Sequence, residues 1–319
     1  MSEQNATSIV SLRPRAILLA VLCTLLWGSA IPIVKISSPL FGIATAFDRI
    51  LFAGVRFTAA GLVTLLVARF LAPARAPLSL RRTASLLGLG LVQTTAQYVC
   101  FYLGLAHALG TRSAILNTTS TFFTVFLAAL FFPAERVTLQ KLVGCLVGFA
   151  GIVLANLGSS IGGAFSWNGD FLILLSSLFF ALGSVISKRL ARQEDPIRVT
   201  GAQLTLGGAV LLAIGFIGGG ALRSVTLQGL LLLVYLIFLS AAAFTIWTSL
   251  LRRYDAASVS VYFFLLPVFG VALSGLLLGE HIASVQTIGA LLLVCAGIAI
   301  VNRPAGKRQI PPESRQTIE

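Results

Sequence analysis

The sequence predicts an all-α integral membrane protein with ten transmembrane helices, arranged as two inverted five-helix repeats. Three observations carry that prediction. The 319 residues are 57% hydrophobic and only 10% charged, against about 45–50% and about 25% in soluble domains. Such an excess of apolar surface points to lipid as the solvent. The apolar residues fall into ten runs of about 20 residues, the length a helix needs to cross a bilayer. Finally, the second half of the chain echoes the first.

The ten runs are 15–36, 49–71, 83–106, 112–132, 139–158, 168–189, 197–218, 226–250, 256–278 and 284–302. The connectors between them are short. The first run is too long for a signal peptide core and is followed by further spans, so it is read as retained. Net charge is +13, but the cationic residues lie between apolar runs and form no continuous basic face, which argues against nucleic acid. They give an orientation instead. With the N-terminus inside, only Lys35, Arg49, Arg56, Arg112 and Arg223 fall outside or within a span. All the others, from Arg13 to Arg315, fall on the inner side, so both termini are expected in the cytoplasm.

The repeat is visible in several places. AGIVLAN at 150–156 is echoed by AGIAIVN at 296–302, and Trp27 to Lys35 aligns with Phe180 to Lys188. Glu135 and Glu280 each follow a long span, with Gly144 and Gly289 nine residues on. Each unit holds an odd number of spans, so the second must enter the membrane from the opposite side. The expected organisation is an N-terminal tail (1–14), a first repeat (15–158), an outer linker (159–167), a second repeat (168–303) and a C-terminal tail (304–319).

These residues resemble the ten-helix EamA-type branch of the drug/metabolite transporter superfamily. The resemblance rests on Leu26-Trp27-Gly28-Ser29 with Lys35, on Arg56-Phe57, on Glu135, on Pro267 with Gly279-Glu280, and on the two AGI segments. It implies a secondary transporter in the cytoplasmic (inner) membrane of a bacterium, exporting small polar metabolites such as amino acids by alternating access. The family often has a proline in span four where this chain has Phe122, so span four lacks the residue that would kink it.

The residues themselves suggest where cargo binds. Pro32 and Pro267 remove backbone hydrogen bonds mid-span, and are read either as hinges or as static packing kinks. The carbonyl freed by Pro32 needs another partner, and Ser29 is near enough to help. Gln93 and Gln97 share one face of span three with Tyr98 alongside. Asn117 and Thr121 share a face of span four with Thr124. Inward-facing amides and hydroxyls suit either interhelical hydrogen bonds or a cavity. Trp27, Trp247 and Tyr262 are candidate aromatic walls, with Tyr235 the weakest of this group. Arg56 is the one charge well inside a span, expected either to attract an anionic group of the cargo or to pair with an acid from another helix. Lys35 and Lys188, at span ends, are expected to snorkel. All ten acids lie in tails, loops or span ends, which favours zwitterionic or anionic cargo over cationic drugs.

No cofactor or metal is expected, since the two histidines and the four cysteines are scattered. Gly144 and Gly148 form a GxxxG pattern, read as packing within a monomer, with a homodimer contact as the alternative. An integral-membrane enzyme would need a clustered catalytic set, and none is visible, so the chain is expected not to be an enzyme. A channel-like facilitator remains the other alternative.

Overall fold

The computed structural model describes residues 12–71, 80–108, 110–155, 165–278 and 285–303. Residues 1–11, the C-terminal tail, most of the linker, and Gly279, Glu280 and His281 lie outside the described residues. Among the described residues every regular element is helical. The first two helices are α1 (Pro14–Leu40) and α2 (Ala46–Leu71). Helix α3 is built from Leu80–Leu89, a π-helical turn Gly90–Ala96 and Gln97–Leu105. Helix α4 consists of Gly110–Thr118 and Ser120–Phe131. There follow α5 (Leu139–Ala155), α6 (Asp170–Ala191), α7 (Pro196–Ile217) and α8 (Leu227–Arg253). Helix α9 comprises Ala256–Ser260, a 3₁₀ turn Val261–Phe264 and Leu265–Leu278, and α10 is Val285–Asn302. Eight of these are long and apolar enough to cross a membrane, and α5 and α10 are shorter apolar helices.

Local chemistry sets several boundaries. Pro14 and Pro196 open their helices, where a missing N–H costs nothing. Asp195 accepts from the Ile197 N–H at 2.9 Å and Thr226 from the Gly229 N–H at 3.0 Å, capping α7 and α8. Gly42 turns the chain after α1 with φ of 62°, a left-handed conformation that favours glycine.

The packing shows the inversion directly. Helix α2 lies against α7, its counterpart in the other repeat. Leu51 meets Gly215, Gly54 meets Leu212, Thr58 meets Gly208, Gly61 meets Thr205 and Leu65 meets Gly201. Position rises along α2 as it falls along α7, so the two run antiparallel. A Cβ on Gly61 would sit 2.2 Å from the Thr205 nitrogen; only glycine lets the backbones approach this closely. Helices α5 and α10 repeat the arrangement, Gly144 against Val301, Gly148 against Gly297 and Gly151 against Val294. The GxxxG pattern is therefore occupied within the chain. Several further pairs obey the same two-fold relation. The α1–α9 and α1–α8 contacts correspond to α6–α4 and α6–α3, and α2–α8 corresponds to α7–α3.

Only one of the two mid-span prolines marks an interruption. Helix α1 continues through Pro32, and Ser29 donates to the Leu26 carbonyl at 2.7 Å rather than to the carbonyl that Pro32 frees. The α9 irregularity, Val261–Phe264, contains Phe263, whose carbonyl lies four residues before Pro267 and loses its helical partner there. Helix α4 breaks at Thr119 without any proline, where the Thr118 and Thr119 hydroxyls each bond a carbonyl three residues back at 2.6 Å, competing with the helix ladder.

Candidate functional site

Helix α8 orders the interior by depth. Ser240, Phe244, Trp247 and then Tyr254, just past its end, meet successive layers, and Ser240 and Tyr254 lie about 20 Å apart along the axis at 1.5 Å per residue. The lower end of this ladder is the one that carries Arg136, Arg192, Arg252 and Arg253, and is called here the basic end.

In the upper layer Arg56 lies about three turns into α2 and is 4% exposed. Its Nε donates to Ser240 Oγ at 2.7 Å, and Ser240 in turn donates to the Leu236 carbonyl at 2.7 Å. The guanidinium carbon lies 4.9 Å from the centroid of the Phe57 ring. The ring of Tyr98 is 4.5 Å from that of Phe57, and Tyr98 stands 6.0 Å from Tyr102. Both phenols lie within the electrostatic reach of Arg56, and Tyr102 also within that of Arg49, two turns earlier on α2. Among the described residues no carboxylate pairs with Arg56. Gln97, next to Tyr98 in sequence, is buried, and its Oε1 has no hydrogen-bond partner.

The middle layer is aromatic. Trp27 packs on Phe180, Phe244, Trp247 and Phe263 at centroid distances of 5.9, 5.2, 5.3 and 5.9 Å. Trp247 is fully buried and donates from Nε1 to Ser184 Oγ at 3.2 Å. These rings come from α1, α6, α8 and α9, so both repeats contribute. The sequence reading named Trp27, Trp247 and Tyr262 as walls. Phe263 rather than Tyr262 joins this ring cluster, while Tyr262 is buried in the same core. Phe180 is the repeat-mate of Trp27, and that alignment was the signal that could have found it.

In the lower layer four charges meet at the basic end. Lys188, expected to snorkel, is instead 1% exposed. Its Nζ lies 2.6 Å from Glu135 Oε1 and also donates to the Tyr254 carbonyl. Glu135 accepts from the Ala256 N–H at 2.8 Å. Lys141 reaches Asp255 at 3.1 Å and the Arg136 carbonyl at 2.9 Å. Arg192 caps the assembly from above the Phe132 ring at 4.7 Å. Burial pushes the Glu135 carboxyl above its ordinary range, against the pull of Lys188. Snorkelling fails for Lys188 because an acid, a carbonyl and an aromatic face already surround it.

The remaining predicted residues are placed as follows. Gln93 packs against Gly183, and its Oε1 accepts from Ser187 at 2.9 Å, an interhelical bond. Thr121 donates to the Ser260 carbonyl at 3.2 Å, tying α4 to α9. Asn117 is half-buried. Because Ser29 donates its hydroxyl hydrogen to the Leu26 carbonyl, at 2.7 Å it accepts from the Tyr235 hydroxyl on α8. Trp27, Phe57 and Phe244 belong to one continuous core against which Tyr98 packs, and Arg56 lies over the Phe57 ring. Glu280, the repeat-mate of Glu135, lies outside the described residues.

The comparison with known families settles the class. The EamA-like transporter family matches the chain twice, at residues 14–157 and 167–303. The chain belongs to the EamA-like transporter family. It is a multi-pass membrane protein of a transporter family, and no catalytic family is indicated. Its relatives include the uncharacterized transporter YvbV of Bacillus subtilis, 28% identical over 91% of this chain and 92% of that protein. A probable amino-acid metabolite efflux pump of Salmonella typhimurium is 28% identical over 88% of this chain and 93% of that protein. The uncharacterized inner membrane transporter YedA of Escherichia coli is 28% identical over 86% of this chain and 87% of its own. A solved crystal structure matches with a TM-score of 0.75 over 91% of this chain and 96% of its own, at 21% identity, and so shares the fold.

Proposed function

We propose that this EamA-type protein is a secondary transporter that exports small polar metabolites, amino acids among them, by alternating access across the cytoplasmic membrane of a bacterium. Both termini then face the cytoplasm, as does the basic end. The two repeats, 15–158 and 168–303, are the units that move, and the cargo pathway runs between them. The single observation that carries this reading is the layered interior along α8. A buried cation without a carboxylate lies at one depth. An aromatic cluster drawn from both repeats lies below it, and a ring of paired charges closes the basic end. A pathway sealed at one end by breakable contacts suits a carrier, because the seal has to open for cargo to cross. Amino acids as cargo are suggested by the relatives named as amino-acid metabolite efflux pumps.

Counterflow in proteoliposomes tests the reading. Vesicles holding the purified protein and loaded with an unlabelled metabolite are expected to accumulate the labelled form transiently, and to saturate. A linear, non-saturating flux without overshoot indicates a channel and contradicts it.

A further inference from the structure

The upper layer also carries information about the cargo itself. A guanidinium is permanently charged, and burying a charge in a lipid-spanning bundle is costly unless it is paired. The other two fully buried cations of the described bundle have each met an acid, Lys188 with Glu135 and Lys141 with Asp255. Arg56 has a hydroxyl and a ring face instead. Ser240 engages Nε and donates its own proton to Leu236. The terminal amino groups are left as a planar pair of donors, the arrangement that binds a carboxylate through two parallel bonds. A second observation lies on the same helix. Arg49 is seven residues from Arg56 and so on the same face of α2, both act on the Tyr102 phenol, and among the described residues neither is bonded to a carboxylate. A third is the Gln97 Oε1, a buried acceptor without a donor.

We propose that Arg56 is the anion anchor of the transport site, that its ligand is the carboxylate of a small organic acid or amino acid, and that Arg49 is the outer station on the way to it. Resting on the transporter reading above, this names the cargo class. A monoanionic carboxylate balances the one charge at that depth, whereas a phosphate dianion exceeds it. Tyr98 and Tyr102 flank the anion, and Gln97 presents an acceptor to a donor group of the cargo such as an ammonium.

The test is counterflow with chemically matched probes. Proteoliposomes of the full-length protein are assayed with L-alanine, L-leucine and L-threonine, each against its carboxamide, and with inorganic phosphate, uridine and glucose. The expected result is at least ten-fold faster exchange of at least one free acid than of its amide. R56Q is expected to reduce that preference to within two-fold, and R49Q to raise KM about three-fold at unchanged kcat. Equal rates for all acids and amides in the wild type overturn the proposal. So does a full acid preference in R56Q, or exchange of phosphate, uridine or glucose in place of the acids; in that last case the protein still transports, and only the anchor assignment falls. Absence of exchange for every probe overturns both. If R56Q does not insert stably, the wild-type acid-to-amide ratio decides alone, a ratio near one counting against the proposal.

Discussion

Lys188 and Arg56 are both cations buried within lipid-spanning helices, and the fold treats them in opposite ways. Lys188 ends α6 with a carboxylate, a backbone carbonyl and the Phe132 face around it. Arg56 sits mid-bundle with one hydroxyl and one ring. The first arrangement is complete and holds helices together across the repeats. The second leaves a charge that no carboxylate among the described residues balances. Saturated charges close a bundle, and an unsaturated one is available to a ligand.

The sharpest way to break this comparison is to unbalance the saturated cluster. E135Q or K188M alone leaves a buried charge without its partner, expected to cost about 3–5 kcal/mol and to lower the melting temperature in detergent. The double variant E135Q/K188M is expected to recover most of that loss. Equal destabilisation by the single and double variants would falsify the pairing.

The next effect concerns the scaffold beneath both sites. G61A places a methyl 2.2 Å from the Thr205 nitrogen, and forcing α2 from α7 is expected to cost about 1–3 kcal/mol, read as a melting shift. G88A, in a position where an added Cβ meets nothing within 4 Å, is the control and is expected to leave stability unchanged.

S240A sharpens the upper site. Without the hydroxyl the guanidinium loses its positioning contact, a charged hydrogen bond worth about 1.5–3 kcal/mol in general, of which solvent reaching the site recovers a part. Transport KM is expected to rise several-fold with stability nearly intact. The smallest expected effect is that of S29A or Y235F, which removes one interhelical bond worth about 0.6 kcal/mol. Melting temperatures within a degree or two of wild type check it.

Much of the bundle was legible from hydropathy alone, because lipid demands continuous apolar runs of fixed length. The predicted span 49–71 begins three residues late against α2, since Asp48 looked like a loop residue. In the fold it lies in the first turn of α2, accepts from the Ala44, Thr45 and Ala221 N–H groups, and pairs with Arg223 of the α7–α8 connector. The layered interior was less legible. Trp27 and Trp247 stand out by residue type, Arg56 by its charge and Phe180 only through its alignment with Trp27, but Phe263 resembles any lipid-facing phenylalanine until helices from both repeats are brought together. Lys188 and Glu135 are 53 positions apart, and each alone reads as an ordinary span end. The helix break at Thr119 was invisible to a search for proline, because hydroxyl-to-carbonyl bonds compete there with the helix ladder.

The central claim is that the basic end is shut by the Glu135–Lys188 cluster and opens when that cluster breaks. Ser184, bonded to Trp247 and one turn from Lys188 along α6, reports on it directly. In a background lacking the four native cysteines, S184C is exposed to a membrane-impermeant maleimide applied from the basic side of oriented vesicles. The account predicts slow labelling with Glu135 intact and markedly faster labelling with E135Q added. Labelling at equal rates in the two proteins, or none in either, contradicts it.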